Sequence, residues 1–99
     1  MRINQVYPFL KALKNIHFFS IQQQSLCGHP DILMVLNGWF VALELKSENG
    51  KPRPLQQYHL DEVEKAGGIS IYANEENWED VKILLTEISK GEGQWNKNQ

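Results

Sequence analysis

Apolar residues at Val6, Phe9, Leu10 and Leu13 recur at the spacing of one helical face, which predicts a helix from about Tyr7 to Asn15, with Pro8 accommodated near its start. Ile16 to Gln24 carries Phe18, Phe19 and Ile21 before a glutamine run and reads as a strand. Ile32 to Leu36 is short and continuously apolar, and Asn37-Gly38 separates it from the β-rich run Trp39 to Lys46. Asn-Gly between two such runs predicts a hairpin with a type I′ turn, because both central residues must take positive φ. A helix is then expected from Pro54 or Leu55 to Ala66, stopped by Gly67-Gly68, followed by a strand from Ile69 to Ala73 parallel to the second hairpin arm. A last helix capped by Asn77 buries Trp78, Val81, Leu84, Leu85 and Ile88 and ends at Gly91. Glu92 to Gln99 is polar apart from Trp95 and reads as a frayed tail.

The hairpin brings two distant acids together. Trp39, Val41, Leu43 and Leu45 fall on one face of the second arm, and Phe40, Ala42, Glu44 and Lys46 on the other. Asp31 starts the first arm and Glu44 ends the second, so the sequence gap closes to a short distance. Such a pair suits Mg²⁺, which prefers oxygen ligands, keeps much of its water and needs only one or two carboxylates. On that reading Asp31, Glu44 and the backbone carbonyl of Leu45 are the metal ligands, Mn²⁺ can substitute, and the Lys46 ammonium emerges beside Glu44. Gln56 lies four residues before Leu60 on the inward face of its helix, at the end nearest the Gly50-Lys51-Pro52-Arg53-Pro54 loop. It therefore points toward the same spot.

Each feature has a plainer reading in isolation. Asp31 after Pro30 fits a turn, Glu44 and Lys46 fit a solvated strand face, and Lys51 and Arg53 fit ordinary surface charge. Trp39, Phe40 and Trp78 read as core. His17, His29 and His59, with the single Cys27, lack the spacing of a zinc ligand set. Only the combination points to a site.

Composition narrows the class. The 99 residues suffice for one domain, and 41% hydrophobic with 22% charged residues is ordinary for a soluble globular chain. No apolar run approaches the roughly 20 residues of a membrane span, so no membrane partner is expected. One cysteine suits a reducing compartment, and Cys27 reads as a small packed residue. The net charge of −2 opposes strong nonspecific binding to nucleic acid, although Lys46, Lys51 and Arg53 cluster beside the acids.

The order helix, three strands, helix, strand, helix, with Gly28-x-Pro30-Asp31, Glu44-x-Lys46 and Gly50-Lys51-Pro52-x-Pro54-x-Gln56, resembles the PD-(D/E)xK nuclease superfamily. More narrowly it resembles the compact, stand-alone VRR-NUC domains of phages and bacteria, over roughly Val6 to Ile88. The resemblance implies an α/β fold with a restriction-endonuclease-like core, α-β-β-β-α-β-α, its mixed central sheet flanked by helices. It implies a single nuclease domain over residues 1–90, with a flexible tail over 91–99. It also implies a Mg²⁺-dependent endonuclease hydrolysing DNA phosphodiesters, with Asp31, Glu44, Lys46 and Gln56 as catalytic residues. Lys46 would activate the attacking water or steady the developing charge, Gln56 would orient the site, and Lys51, Arg53 and His29 would contact DNA. Family members often carry an acid in the first helix; here Gln5 is the nearest polar residue. The expected substrate is branched DNA such as Holliday junctions or flaps, cut by a homodimer in the cytoplasm of a bacterial or phage-infected cell. The alternative is a non-catalytic DNA-binding or assembly module that retains the nuclease fold.

Overall fold

In the computed structural model, residues 3–21, 30–45 and 52–96 are described. The chain forms α1 (Ile3–Ala12), β1 (Ile16–Ser20), β2 (Ile32–Leu36), β3 (Trp39–Leu45), α2 (Pro54–Lys65), β4 (Ile69–Ala73) and α3 (Trp78–Lys90), then a 3-10 turn, Gly93–Trp95. The strands make one mixed sheet in the order β1-β2-β3-β4, antiparallel except for the parallel β3–β4 pair. The parallel pair follows from the α2 crossover that separates its strands in sequence. The architecture is thus α/β with a mixed sheet and three helices. No helix among the described residues is long and apolar enough to cross a membrane.

The hairpin turn has the expected backbone, with φ of 51° at Asn37 and 83° at Gly38. That turn fixes the β2–β3 register, pairing Leu36 with Trp39 and Ile32 with Leu43. One face of the sheet carries Ile32, Met34, Leu36, Val41, Leu43, Ile71 and Ala73. These pack with Val6 and Leu10 of α1 and with Val81, Leu85 and Ile88 of α3. Truncating one of these, Leu43 for example, would cost about 2–5 kcal/mol, since the transfer term and the cavity term add.

The opposite face is covered in part. Helix α2 sits over β3 and β4, tied by the Ser70 hydroxyl donating to the Leu60 carbonyl at 2.6 Å. Gly68 makes this approach possible: a Cβ there would lie 2.8 Å from Val63 Cγ1 and 3.3 Å from the Phe40 carbonyl oxygen. Beyond α2, Phe19, Val35 and Phe40 remain open, at 52%, 51% and 43% exposure. Trp39 and Trp78 join the core, but the expectation that Phe40 does so is corrected: it lies on the opposite face of β3, beside Gly68, and stays 43% exposed.

Several boundaries differ from the sequence reading. Helix α1 begins at Ile3, so Pro8 lies inside it rather than at its start. Proline removes the bond to the carbonyl four residues back, here that of the exposed Asn4, and the helix nevertheless runs on to Ala12. Strand β1 ends at Ser20, and its expected extension to Gln24 reaches beyond the described residues. Asn77 precedes α3 but makes no side-chain cap to it. Its side chain instead accepts from the Asn74 N–H at 2.8 Å and donates to the Tyr72 carbonyl at 2.8 Å, fixing the β4–α3 connection. Within the expected tail, Gly93–Trp95 forms the 3-10 turn. Trp95 packs edge-on against Trp39 with centroids 5.5 Å apart, and its carbonyl accepts the Trp39 indole N–H at 2.9 Å.

Candidate metal centre

The site is assembled at the base of the hairpin, away from the Asn37-Gly38 turn. β2 and β3 are in register there, so Asp31, one residue before β2, lies beside Glu44, the penultimate residue of β3. The two are locked through the backbone. The Asp31 N–H donates to Glu44 Oε1 at 3.1 Å, and the Leu45 N–H donates to Asp31 Oδ2 at 2.8 Å. Each acid therefore holds the main chain that carries the other.

Glu44 is 2% exposed, a carboxylate set on the sheet face beneath α2. An ionised group in such a place persists only when hydrogen-bonded or paired. Gln56, itself buried, supplies one partner by donating its side-chain Nε2–H to Glu44 Oε2. The other end of the same amide is also used: Gln56 Oε1 accepts the Arg53 N–H at 2.9 Å. Arg53 is the N-cap residue of α2 and Gln56 is its third residue, so this bond is the backbone half of a capping box. Glutamine is specified over glutamate here, because only an amide can serve the cap with its oxygen and donate to a carboxylate with its nitrogen.

On the far side of Glu44 stands Tyr72, its direct partner in the parallel β3–β4 register and hence on the same sheet face. Its hydroxyl oxygen is buried without a hydrogen-bond partner, the one such side-chain atom among the described residues. Burial, and after it the negative charge of Glu44, pushes the phenol pKa above its ordinary 10.0. It is therefore a neutral O–H at physiological pH. The sequence reading did not single Tyr72 out. The signal was there in the alternation of Ser70 and Tyr72 with Ile69, Ile71 and Ala73, once β4 is set parallel to β3.

Of the residues expected at the site, the structure brings Asp31, Glu44, Leu45 and Gln56 together. Arg53 enters through its backbone, with an exposed side chain. Lys46, Lys51, His29 and Cys27 lie outside the described residues. Gln5 is on the exposed side of α1. Among the described residues no three His, Cys, Asp or Glu side chains cluster to hold a metal. A hydrated Mg²⁺ does not require such a cluster. Two linked carboxylates, each with about four acceptor positions of which the amides use only some, fit it. So does an orphaned buried hydroxyl beside them, since such an atom marks a place for an unseen water or ion.

A groove of about 590 Å³ adjoins this centre, running from Pro30 past Leu33 and Phe40 to His59, Val63 and Gly68. Its walls are largely apolar. Comparison with family models, with curated proteins and with solved structures finds no match to the chain. The functional reading accordingly rests on the geometry of the centre and on the sequence pattern around it.

Proposed function

We propose that this chain is a Mg²⁺-dependent DNA endonuclease with a restriction-endonuclease-like core, similar to the stand-alone VRR-NUC domains. The observation that carries the reading is the reciprocal lock of Asp31 and Glu44, with Gln56 fixing the second oxygen of Glu44. Two acids held by backbone bonds are preorganised, so little reorganisation is needed when a cation and a phosphate arrive.

Asp31 and Glu44 would hold the cation, with the Leu45 carbonyl as a further oxygen donor. When bound, it supplies charge neutralisation at the phosphate and an acidified water. Gln56 keeps Glu44 in one rotamer. Lys46, two residues after Glu44 in the sequence, would orient the attacking water or meet charge developing on the phosphate. Lys51, Arg53 and His29 would contact the DNA backbone. These contacts position the substrate without reading sequence.

Branched DNA, such as a four-way junction or flap, is the proposed substrate, and a C2 homodimer the proposed assembly. The open sheet face of Phe19, Val35 and Phe40 supports pairing, because a two-fold interface needs one self-complementary patch. A second reading, a DNA-binding or assembly module without catalysis, draws on the net charge of −2 and the absence of any acid in α1. Incubating the protein with branched, nicked and linear DNA, with Mg²⁺, Mn²⁺ or chelator, separates the two. Metal-dependent cleavage of the branched substrates is expected. Binding without cleavage under every metal condition would favour the module.

A further inference from the structure

Where α2 meets the parallel β3–β4 pair lie the polar side chains of Glu44, Ser70 and Tyr72 from the strands and Gln56 from the helix, and all but Tyr72 are hydrogen-bonded within the protein. Ser70 donates to the Leu60 carbonyl, Glu44 accepts from Asp31 and Gln56, and Gln56 uses both ends of its amide. Tyr72 Oη alone has no partner. A buried hydroxyl left unpaired is destabilising, and phenylalanine would fill the same space without that penalty. The orphan stands on the strand next to Glu44, in direct register with it.

We propose that Tyr72 Oη accepts a hydrogen bond from a water molecule of a hydrated divalent cation held by Asp31 and Glu44. Tyr72 thereby positions the cation without ligating it. The inference rests on the reading of this centre as a cation site. Mg²⁺ gives up its water reluctantly, and each retained water is a hydrogen-bond donor that needs an acceptor. A neutral phenol offers acceptor lone pairs while remaining a poor ligand for a hard cation, so it holds the water and leaves the metal to the carboxylates. Its own O–H remains available to a second oxygen, of another water or of a phosphate.

The test uses the full chain and Mn²⁺ alone, with no DNA. Tyr72→Phe removes only the hydroxyl. Its melting temperature without metal should equal or exceed that of the parent, because no protein hydrogen bond is lost. Its Mn²⁺ dissociation constant by calorimetry should rise about tenfold or more, the usual effect of removing a group that orients a metal's shell. Tyr58→Phe, on the exposed side of α2, should leave affinity unchanged. Equal Mn²⁺ affinity in parent and Tyr72→Phe overturns the inference and leaves the cation site standing. A marked fall in the metal-free melting temperature also overturns it, by showing that the hydroxyl already serves the fold. A parent that binds no Mn²⁺ overturns both this inference and the proposed function.

Discussion

Gln56 reaches across from the first turn of α2 and donates to the buried carboxylate of Glu44, while its carbonyl oxygen accepts the N–H of Arg53. One side chain thus couples the start of a helix to the charge state of a strand. Replacing it with Glu would keep the cap and set a second carboxylate against the first. Two carboxylates in contact force one pKa well above its unfolded value. A raised folded-state pKa means that the folded protein binds the extra proton more tightly, so stability is gained as pH falls and lost as pH rises through that value. Gln56→Glu should therefore be clearly destabilised at neutral pH and recover under mildly acidic conditions, as read by urea unfolding. Gln56→Leu should instead lose about 1–3 kcal/mol, because Glu44 Oε2 loses this buried bond and the Arg53 N–H loses its acceptor. Equal stability of Gln56→Glu and parent across pH would remove Gln56 from the site.

Metal binding is expected to need both acids. Asp31→Asn keeps an oxygen for the Leu45 N–H and should change the melting temperature little. Glu44→Gln sets an amide NH2 against one of two N–H donors and should lose about 1–3 kcal/mol. The Mn²⁺ titration signal should disappear in each. Undiminished binding in either variant would sink the ligand assignment.

Lys46 separates chemistry from affinity. Lys46→Ala should lower cleavage under saturating DNA by about 10²-fold or more, the usual effect of losing one electrostatic group at the developing charge. DNA affinity should change little by comparison. A variant that cleaves like the parent would refute the role.

The homodimer is tested by light scattering at micromolar protein, with and without a four-way junction. A dimer is expected, and Val35→Lys or Phe40→Lys on the open face should return it to a monomer without unfolding it. The salt dependence of DNA binding reports how many phosphates are engaged. A monomer under both conditions, cutting linear and branched DNA alike, would overturn the paired, junction-directed reading.

The hairpin, the parallel strand and the α2 boundaries were legible because each is written locally. Asn37-Gly38 specifies its turn, Gly67-Gly68 stops a helix, and alternation along Trp39–Leu45 assigns faces. Asp31 and Glu44 followed from that register. Tyr72 was less accessible, since the parallel direction of β4 does not by itself give the register that sets Tyr72 beside Glu44. Phe40 was misread because alternation tells which face a residue takes, not whether a helix covers it. The start of α1 was missed because a proline inside a helix is disfavoured but tolerated where little depends on the lost bond. Trp95 was taken for part of a polar tail because one aromatic among polar residues gives no periodic signal; its partner, Trp39, is 56 residues earlier.

The Trp39–Trp95 contact also decides how the protein can be handled. Trp39 begins β3 at the turn, whereas Leu45 ends it at the acids, and six residues of strand at about 3.3 Å each separate them by roughly 20 Å. The C-terminal turn is pinned to the end of the molecule remote from the candidate metal centre. A fluorophore, affinity handle or surface tether attached after Asn96 would hold the protein with that centre turned outward, whereas the same attachment beside Pro30 or Pro52 would block it.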